Sequence, residues 1–261
     1  MKQNRKLLRF NVHLTDHCNL NCKGCGHFSP IAKEKYLDLF EFENDCKRLS
    51  QLTNKRVERI ELMGGEPLLH PYLIDIISIA RRYFNGEITI ATNGILLSKQ
   101  DDNFWKSCHE NDINIGMTSY NINVDIESIK NKAKHFDVVF SFKGKSSKTP
   151  RLWYYNPMDI SGKQNIKINF DLCKWANVCI FLENGKLYTC VVPALIKHLN
   201  RHFSLDFKTS SKDYIDIYKV KDISEVFSFL NKPIPFCRYC LPQKEELTKW
   251  EISNKSISEW I

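Results

Sequence analysis

Cys18, Cys22 and Cys25 fall in the run Cys-Asn-Leu-Asn-Cys-Lys-Gly-Cys, a C-x3-C-x2-C spacing that brings three thiolates into one short loop. Thiolates spaced in this way commonly hold an iron–sulfur cluster. A four-iron cubane on three cysteines leaves one iron without a protein ligand. An open iron can bind a small molecule through amino and carboxylate groups, so the loop is a candidate reaction centre. A structural zinc site is the other reading, and His17 or His27 could supply its fourth ligand. After one helix and one strand comes a second motif, where Val57–Met63 runs into Gly64-Gly65-Glu66-Pro67. Glycines at a strand end admit close approach of a ligand to the backbone. The Glu66 carboxylate and nearby backbone groups are expected to receive a ligand's ammonium, and Pro67 to start the following helix.

Cys18, Cys22, Cys25, the Gly64–Pro67 tetrad and Ala91-Thr92-Asn93-Gly94 at the end of the next strand together resemble the radical S-adenosylmethionine superfamily. The resemblance implies that the three cysteines bind a [4Fe-4S] cluster whose open iron chelates the methionine part of S-adenosylmethionine. It implies that Gly64, Gly65, Glu66 and Pro67 contact the amino group of that cofactor, with Thr92, Asn93 and Thr118 completing the binding set. The residue before the third cysteine is usually aromatic in this family and packs near the adenine. Here it is Gly24, so Phe28 or His27 is expected to take that role. An electron donor such as flavodoxin or ferredoxin is implied as a partner.

A second constellation lies in the C-terminal hundred residues: Cys173, Cys179, Cys190, and Cys237-Arg-Tyr-Cys240. Asn184-Gly185 between two apolar runs is a hairpin signal, because Asn-Gly tolerates the positive φ of a type I′ turn. Cys190 is expected on the second strand of that hairpin. The pattern C-x11-G-x4-C followed by a distant C-x2-C resembles the twitch domain, a shortened SPASM domain. By that resemblance Cys173, Cys190, Cys237 and Cys240 hold a second, auxiliary [4Fe-4S] cluster, with four-cysteine zinc as the alternative. Cys179 is left over as core residue, substitute ligand or hydrogen donor. Cys46 and Cys108 fall in expected helices, away from any cluster spacing, and read as buried small hydrophobes.

The elements that must position these residues alternate. Strands are expected at 8–15, 57–63, 87–92, 113–118 and 138–142, and helices at 37–52, 71–84, 104–110 and 126–134. Strands alternating with helices imply a parallel sheet with right-handed crossovers, in which all the first-half motifs fall at carboxyl ends of strands. The pattern and the resemblance agree on an α/β fold: a partial (β/α)6 radical SAM barrel over residues 1–150, with a small cysteine-rich twitch-like appendage in 151–261. Near residue 143 the alternation gives way to a Lys/Ser stretch, and the aromatic run after it, Arg151–Pro157, is expected to close the barrel or line its mouth.

Composition narrows the class. With 261 residues, 43% of them hydrophobic, the chain can bury a core, and no apolar run approaches the length needed to span a bilayer. The N-terminal segment is too polar for a secretory signal, and clustered C-x2-C spacings favour metal over disulfides, which together point to the cytoplasm. The net charge of +8 is spread along the chain, leaving an anionic small-molecule substrate open; nucleic acid is disfavoured because no recognised motif for it appears.

The chemistry implied is reductive cleavage of S-adenosylmethionine to a 5′-deoxyadenosyl radical, which abstracts hydrogen from a small polar substrate. With an auxiliary cluster as electron acceptor, the net reaction would be dehydrogenation of a sugar- or cyclitol-like molecule. Arg151, Lys143 and Tyr155 are the candidates for the base that takes the hydroxyl proton. Peptide or protein maturation is an alternative, although such relatives usually carry an N-terminal peptide-binding domain that is not expected here. The molybdopterin-precursor cyclase is a further relative, whose glycine-rich tail has no counterpart in Ser256–Ile261. A non-catalytic iron–sulfur or zinc protein is the reading from a different class.

Overall fold

The computed structural model describes residues 6–120, 122–143 and 153–261, with the backbone alone for 153–155. They divide by packing into two units, one joining Leu7–Leu20 to residues 35–143, the other joining Asn21–Glu34 to residues 153–261. Segment 21–34, expected to belong with the strands around it, groups with the C-terminal residues.

In the first unit β1 (Leu8–His13), α1 (Leu39–Thr53), β2 (Val57–Met63), α2 (Leu73–Tyr83), β3 (Glu87–Thr92), α3 (Asp102–Glu110), β4 (Ile113–Thr118), α4 (Ile126–His135) and β5 (Phe140–Lys143) alternate. The five strands pair in parallel in the order β5-β4-β3-β2-β1. The sheet is open, and all five carboxyl ends share one edge. Helix starts are set by aspartates: Asp38, Asp101 and Asp125 accept the amides of Glu41, Phe104 and Ser128, groups with no partner inside the helix. Because Asp38 is extended and caps, α1 begins at Leu39 rather than 37. Asp137, at φ 54°, turns the chain out of α4 and delays β5 to Phe140. Pro67 opens only a short 3-10 turn, Pro67–Leu69; α2 starts later, at Leu73.

Phe10, Val12, Leu62, Ile77, Ile90 and Trp105 belong to the apolar core of this unit. Cys46 and Cys108 lie in the same core. Burial pushes the Cys108 thiol up to about 12 and the Cys46 thiol well above its usual range, so both behave as small hydrophobes.

The second unit contains β6 (Trp153–Tyr155), α5 (Ile166–Leu172), β7 (Phe181–Glu183), β8 (Lys186–Tyr188), α6 (Val192–Phe203), β9 (Tyr214–Asp216), α7 (Ile223–Leu230) and β10 (Glu246–Thr248). β7 and β8 form the expected hairpin, with Asn184 at φ 49° and Gly185 at φ 71°, and β9 pairs antiparallel with β8. Cys190 lies just past β8 rather than on it. β6 does not extend the parallel sheet, because its backbone groups pair antiparallel with β10 in a separate two-stranded ribbon. Phe28, Phe181, Leu195, Phe236 and Trp260 sit in one apolar core of this unit.

Candidate functional site

The loop that starts the cysteine run is fastened to the end of β2 by backbone alone. Past the last paired residues, Leu14 N donates to Met63 O at 2.7 Å, Gly65 N to Thr15 O at 2.7 Å and Glu66 N to His17 O at 3.1 Å. The two segments run so close that a Cβ on Gly64 would lie 2.8 Å from Thr15 O, and one on Gly65 2.0 Å from His17 O. The glycines therefore serve contact between two stretches of this chain. Cys18, one residue beyond His17, accepts from Leu20 N at 3.3 Å and from Asn93 Nδ2 at 3.7 Å.

Glu66 also turns inward. Its side chain is fully buried, and its oxygens accept from Thr92 Oγ1 at 2.6 Å, Asn93 N at 2.9 Å and Leu68 N at 3.2 Å. The carboxylate thus caps the Pro67 turn and ties it to the end of β3. Burial raises its pKa to about 7, against the opposing hydrogen bonds from Asn93, Thr92 and Leu68. Asn93 in turn holds Asn19 Oδ1 at 2.7 Å. Glu66, Thr92, Asn93 and Cys18 are brought together as one bonded group.

The sheet face opposite the helices is polar. Asn11, Glu61, Thr89 and Asn114 align across β1 to β4. Lys143 reaches over Gly116 to pair with Glu61, as its chain lies 3.0 Å from where a Cβ on Gly116 would be. Thr118 ends β4 opposite Lys143. At the end of β1, His13 Nδ1 lies 3.2 Å from Asp16 Oδ1, both side chains buried. Sequence reasoning missed this pair, because no motif marks it. Of the candidate bases, Lys143 is engaged by Glu61; Arg151 and the side chain of Tyr155 lie outside the described residues.

The Cys22–Cys25 turn belongs to the second unit. It closes through Cys25 N donating to Cys22 O at 3.3 Å, with Gly24 at φ 62°. This left-handed conformation explains a glycine where an aromatic residue was expected. Burial raises the Cys25 thiol pKa, while N–H groups of Ser29, His27 and Phe28 oppose the shift. Phe28, the expected adenine neighbour, is 1% accessible and packs in the core against Trp260, leaving its ring no face for a ligand.

Cys173, Cys190, Cys237 and Cys240 all lie in the second unit. Cys190 and Cys240 are half-buried, and their thiols are pushed up, first by desolvation and then by repulsion, from Cys173, Cys240 and Cys237 on Cys190, and from Cys237 and Cys173 on Cys240. Ala176 N donates to Cys173 Sγ at 3.4 Å. Among the described residues no three His, Cys, Asp or Glu side chains close around a metal-sized centre. Asn169 braces the C-x2-C turn, donating Nδ2 to Cys237 O at 2.9 Å and Cys240 O at 2.5 Å. Cys179, with N bonded to Trp175 O, stands on the segment leading into β7.

An open parallel α/β sheet with this cysteine loop defines a radical SAM domain, and the sequence profile of the radical SAM superfamily matches residues 12–141. The chain belongs to that superfamily. A probable GTP 3′,8-cyclase of Thermoplasma volcanium is 35% identical over 94 residues, 36% of this chain and 28% of that protein. A GTP 3′,8-cyclase of Peptoclostridium acidaminophilum is 29% identical over 96 residues, 36% and 30% of the two chains. The chain thus spans under a third of the length of these two relatives. Among solved structures, BtrN in complex with AdoMet and 2-DOIA has a TM-score of 0.56 at 16% identity, over 91% of this chain and 94% of BtrN. A polyhistidine-tagged anSMEcpe with bound AdoMet has a TM-score of 0.54 at 15% identity, over 89% and 82%. No helix among the described residues is long and apolar enough to cross a membrane.

Proposed function

We propose that the chain is a radical SAM enzyme that oxidises a hydroxyl-bearing small molecule by two electrons, using an auxiliary [4Fe-4S] cluster. In this reading Cys18, Cys22 and Cys25 hold the cluster that binds S-adenosylmethionine, and Cys173, Cys190, Cys237 and Cys240 hold the second. What supports the reading is that these four cysteines lie in one unit, where the Cys190 thiol feels the other three, the Cys240 thiol feels Cys237 and Cys173, and hydrogen bonds from Asn169 hold the Cys237–Cys240 turn. The donor chemistry fits. N–H groups directed at Cys18, Cys25, Cys173 and Cys190 suit anionic sulfur, and hydrogen bonds to sulfur tune cluster potential.

Cys18, Cys22 and Cys25 would hold a cluster with S-adenosylmethionine, which would supply hydrogen-atom abstraction from carbon, and Cys173, Cys190, Cys237 and Cys240 would hold a cluster supplying a one-electron sink. The chain supplies the rest. Glu66, through Thr92 and Asn93, fixes the strand ends beside Cys18. The polar face with Asn11, Glu61 and Lys143 presents hydrogen-bonding groups to a hydroxyl-rich substrate. His13, oriented through Nδ1 by Asp16, is the group we assign to take the hydroxyl proton, leaving a carbonyl. A flavodoxin- or ferredoxin-type donor would deliver the electron that starts each turnover, and oxygen-labile clusters would call for a reducing compartment such as the cytoplasm.

A second reading, a nucleoside triphosphate substrate, is favoured by the curated relatives named GTP 3′,8-cyclase. The test is anaerobic incubation with dithionite, S-adenosylmethionine and, separately, 2-DOIA, myo-inositol deuterated at carbon, GTP or a cysteine-containing peptide. The proposal expects 5′-deoxyadenosine in every assay, and deuterium in it from the polyol. Turnover of GTP or peptide alone replaces the substrate class. Absence of 5′-deoxyadenosine throughout would leave a non-catalytic iron–sulfur or zinc protein.

A further inference from the structure

Segment 251–260 is bound along the Cys22–Cys25 turn, and nothing in the cysteine motif requires it. Lys23 N donates to Glu251 O at 2.9 Å, and Ser253 N to Asn21 O at 2.9 Å, on either side of an antiparallel bridge between Cys22 and Ile252. Glu259 then enters from beyond. Its side chain is buried, with Oε2 accepting from Gly24 N at 3.3 Å and Ser253 Oγ at 2.6 Å. Oε1 accepts from Asn254 N at 2.7 Å and Ser256 N at 3.3 Å. Trp260 Nε1 donates to Cys25 O at 2.9 Å while its ring packs on Phe28 and Phe203. Both amides between the two cysteines, and the carbonyl of the second, are thereby held by this one segment.

We propose that segment 251–260 is a positioning strap for the iron–sulfur loop, with Glu259 and Trp260 as positioning residues that act through Gly24 and Cys25. Gly24 is in the left-handed region, a conformation that a two-residue turn does not hold by itself at a residue of such freedom. The Glu259 carboxylate is a charge-assisted acceptor for its N–H, and such bonds are about twice as strong as neutral ones. The strap sets the directions of the Cys22 and Cys25 sulfurs before any iron arrives. Loss of the strap therefore lets iron leave this loop faster without touching the four-cysteine site.

The proposal rests on the reading that Cys18, Cys22 and Cys25 hold a cluster, and the experiment separates the two. Iron release from the anaerobically reconstituted chain is followed with a ferrous chelator, in the unchanged chain, in Cys18→Ala/Cys22→Ala/Cys25→Ala, and in Glu259→Ala, Glu259→Gln and Trp260→Phe. If the triple variant retains as much iron as the unchanged chain, the cluster reading fails and the strap falls with it. If the triple variant loses one phase of release, that phase reports the loop. The strap then predicts that Glu259→Ala speeds that phase about tenfold, the scale of one lost hydrogen bond to a charged group. Glu259→Gln, which keeps an acceptor oxygen, is expected to recover part of the loss, and Trp260→Phe to speed the same phase less. The electron paramagnetic resonance signal of the loop cluster should shift in Glu259→Ala, a change that looser packing elsewhere would not cause. An unchanged loop phase in Glu259→Ala, or equal acceleration of all iron, overturns the strap.

Discussion

The two C-x2-C turns of the chain, Cys22–Cys25 and Cys237–Cys240, are closed alike and braced oppositely. Each has its second cysteine's N–H bonded to the first cysteine's carbonyl, at 3.3 and 3.2 Å. The first is braced through its amides by an anion, Glu259, on Gly24 N. The second is braced through its carbonyls by a neutral amide, Asn169, on Cys237 O and Cys240 O. Local geometry is therefore dictated by spacing, while the polarity of the brace is set by whatever distant segment arrives. The segment that braces the first turn at its amides also reaches one of its carbonyls, Cys25 O, through Trp260 Nε1.

The largest effect expected on this comparison comes from Gly65→Ala. A Cβ there would meet His17 backbone, which cannot give like a side-chain tip. We expect a loss of about 3 kcal/mol in chemical denaturation, together with loss of iron from the N-terminal loop. Retention of both would show that the β2 end is not what frames that loop. Asn169→Ala leaves two half-buried carbonyls without their shared donor and should cost about 1 kcal/mol. Its iron loss should be confined to the C-terminal site, the mirror image of Glu259→Ala.

Two buried carboxylates sharpen the contrast through pH. For Glu66 burial prevails, and the folded pKa of about 7 lies above its ordinary value. The folded form then binds the proton more tightly, so its contribution to stability is complete below the ordinary carboxylate range and is lost as pH rises through about 7. For Glu259 burial also favours the neutral form, but hydrogen bonds from Ser253, Asn254, Ser256 and Gly24 outweigh it and the pKa is lowered. Its contribution is present above the ordinary value and is lost as pH falls through the depressed one. Melting of the iron-free chain across pH should therefore flatten between pH 5 and about 7 in Glu66→Gln, and flatten at the acid end in Glu259→Gln. The smallest effect is expected from Lys23→Ala. Its pair with Glu251 is exposed on both sides, and such pairs add little. The melting temperature should not move measurably, although Lys23 lies inside the strapped turn.

The parts legible in the sequence are those fixed by neighbours along the chain. The β/α alternation follows from local apolar periodicity, and the Asn184–Gly185 hairpin from two residues that tolerate positive φ. The cysteine spacings gave the two candidate metal regions in the same way. What the sequence did not reveal is tertiary. Whether Glu66 faces a ligand or caps the Pro67 turn depends on where Thr92 and Asn93 arrive. Phe28 could not be told from an exposed aromatic until the core around Trp260 was seen. Asn169 and Glu259 stand far in sequence from the turns they brace, in segments with no motif. The pairing of β6 with β10 joins Trp153–Tyr155 to Glu246–Thr248, a partnership that no local pattern encodes.

The central claim is that the chain holds two clusters on two cysteine sets, and counting iron tests it most directly. Iron and acid-labile sulfide per chain would be measured after anaerobic reconstitution of three proteins: the unchanged chain, Cys18→Ala/Cys22→Ala/Cys25→Ala, and Cys190→Ala/Cys240→Ala. Two four-iron clusters predict about eight irons in the first and about four in each of the others. About four irons in the unchanged chain, falling to none in the triple variant and staying at about four in the double variant, would contradict the account. It would leave the C-terminal cysteines without an iron–sulfur cluster, and the proposed oxidation without its electron acceptor.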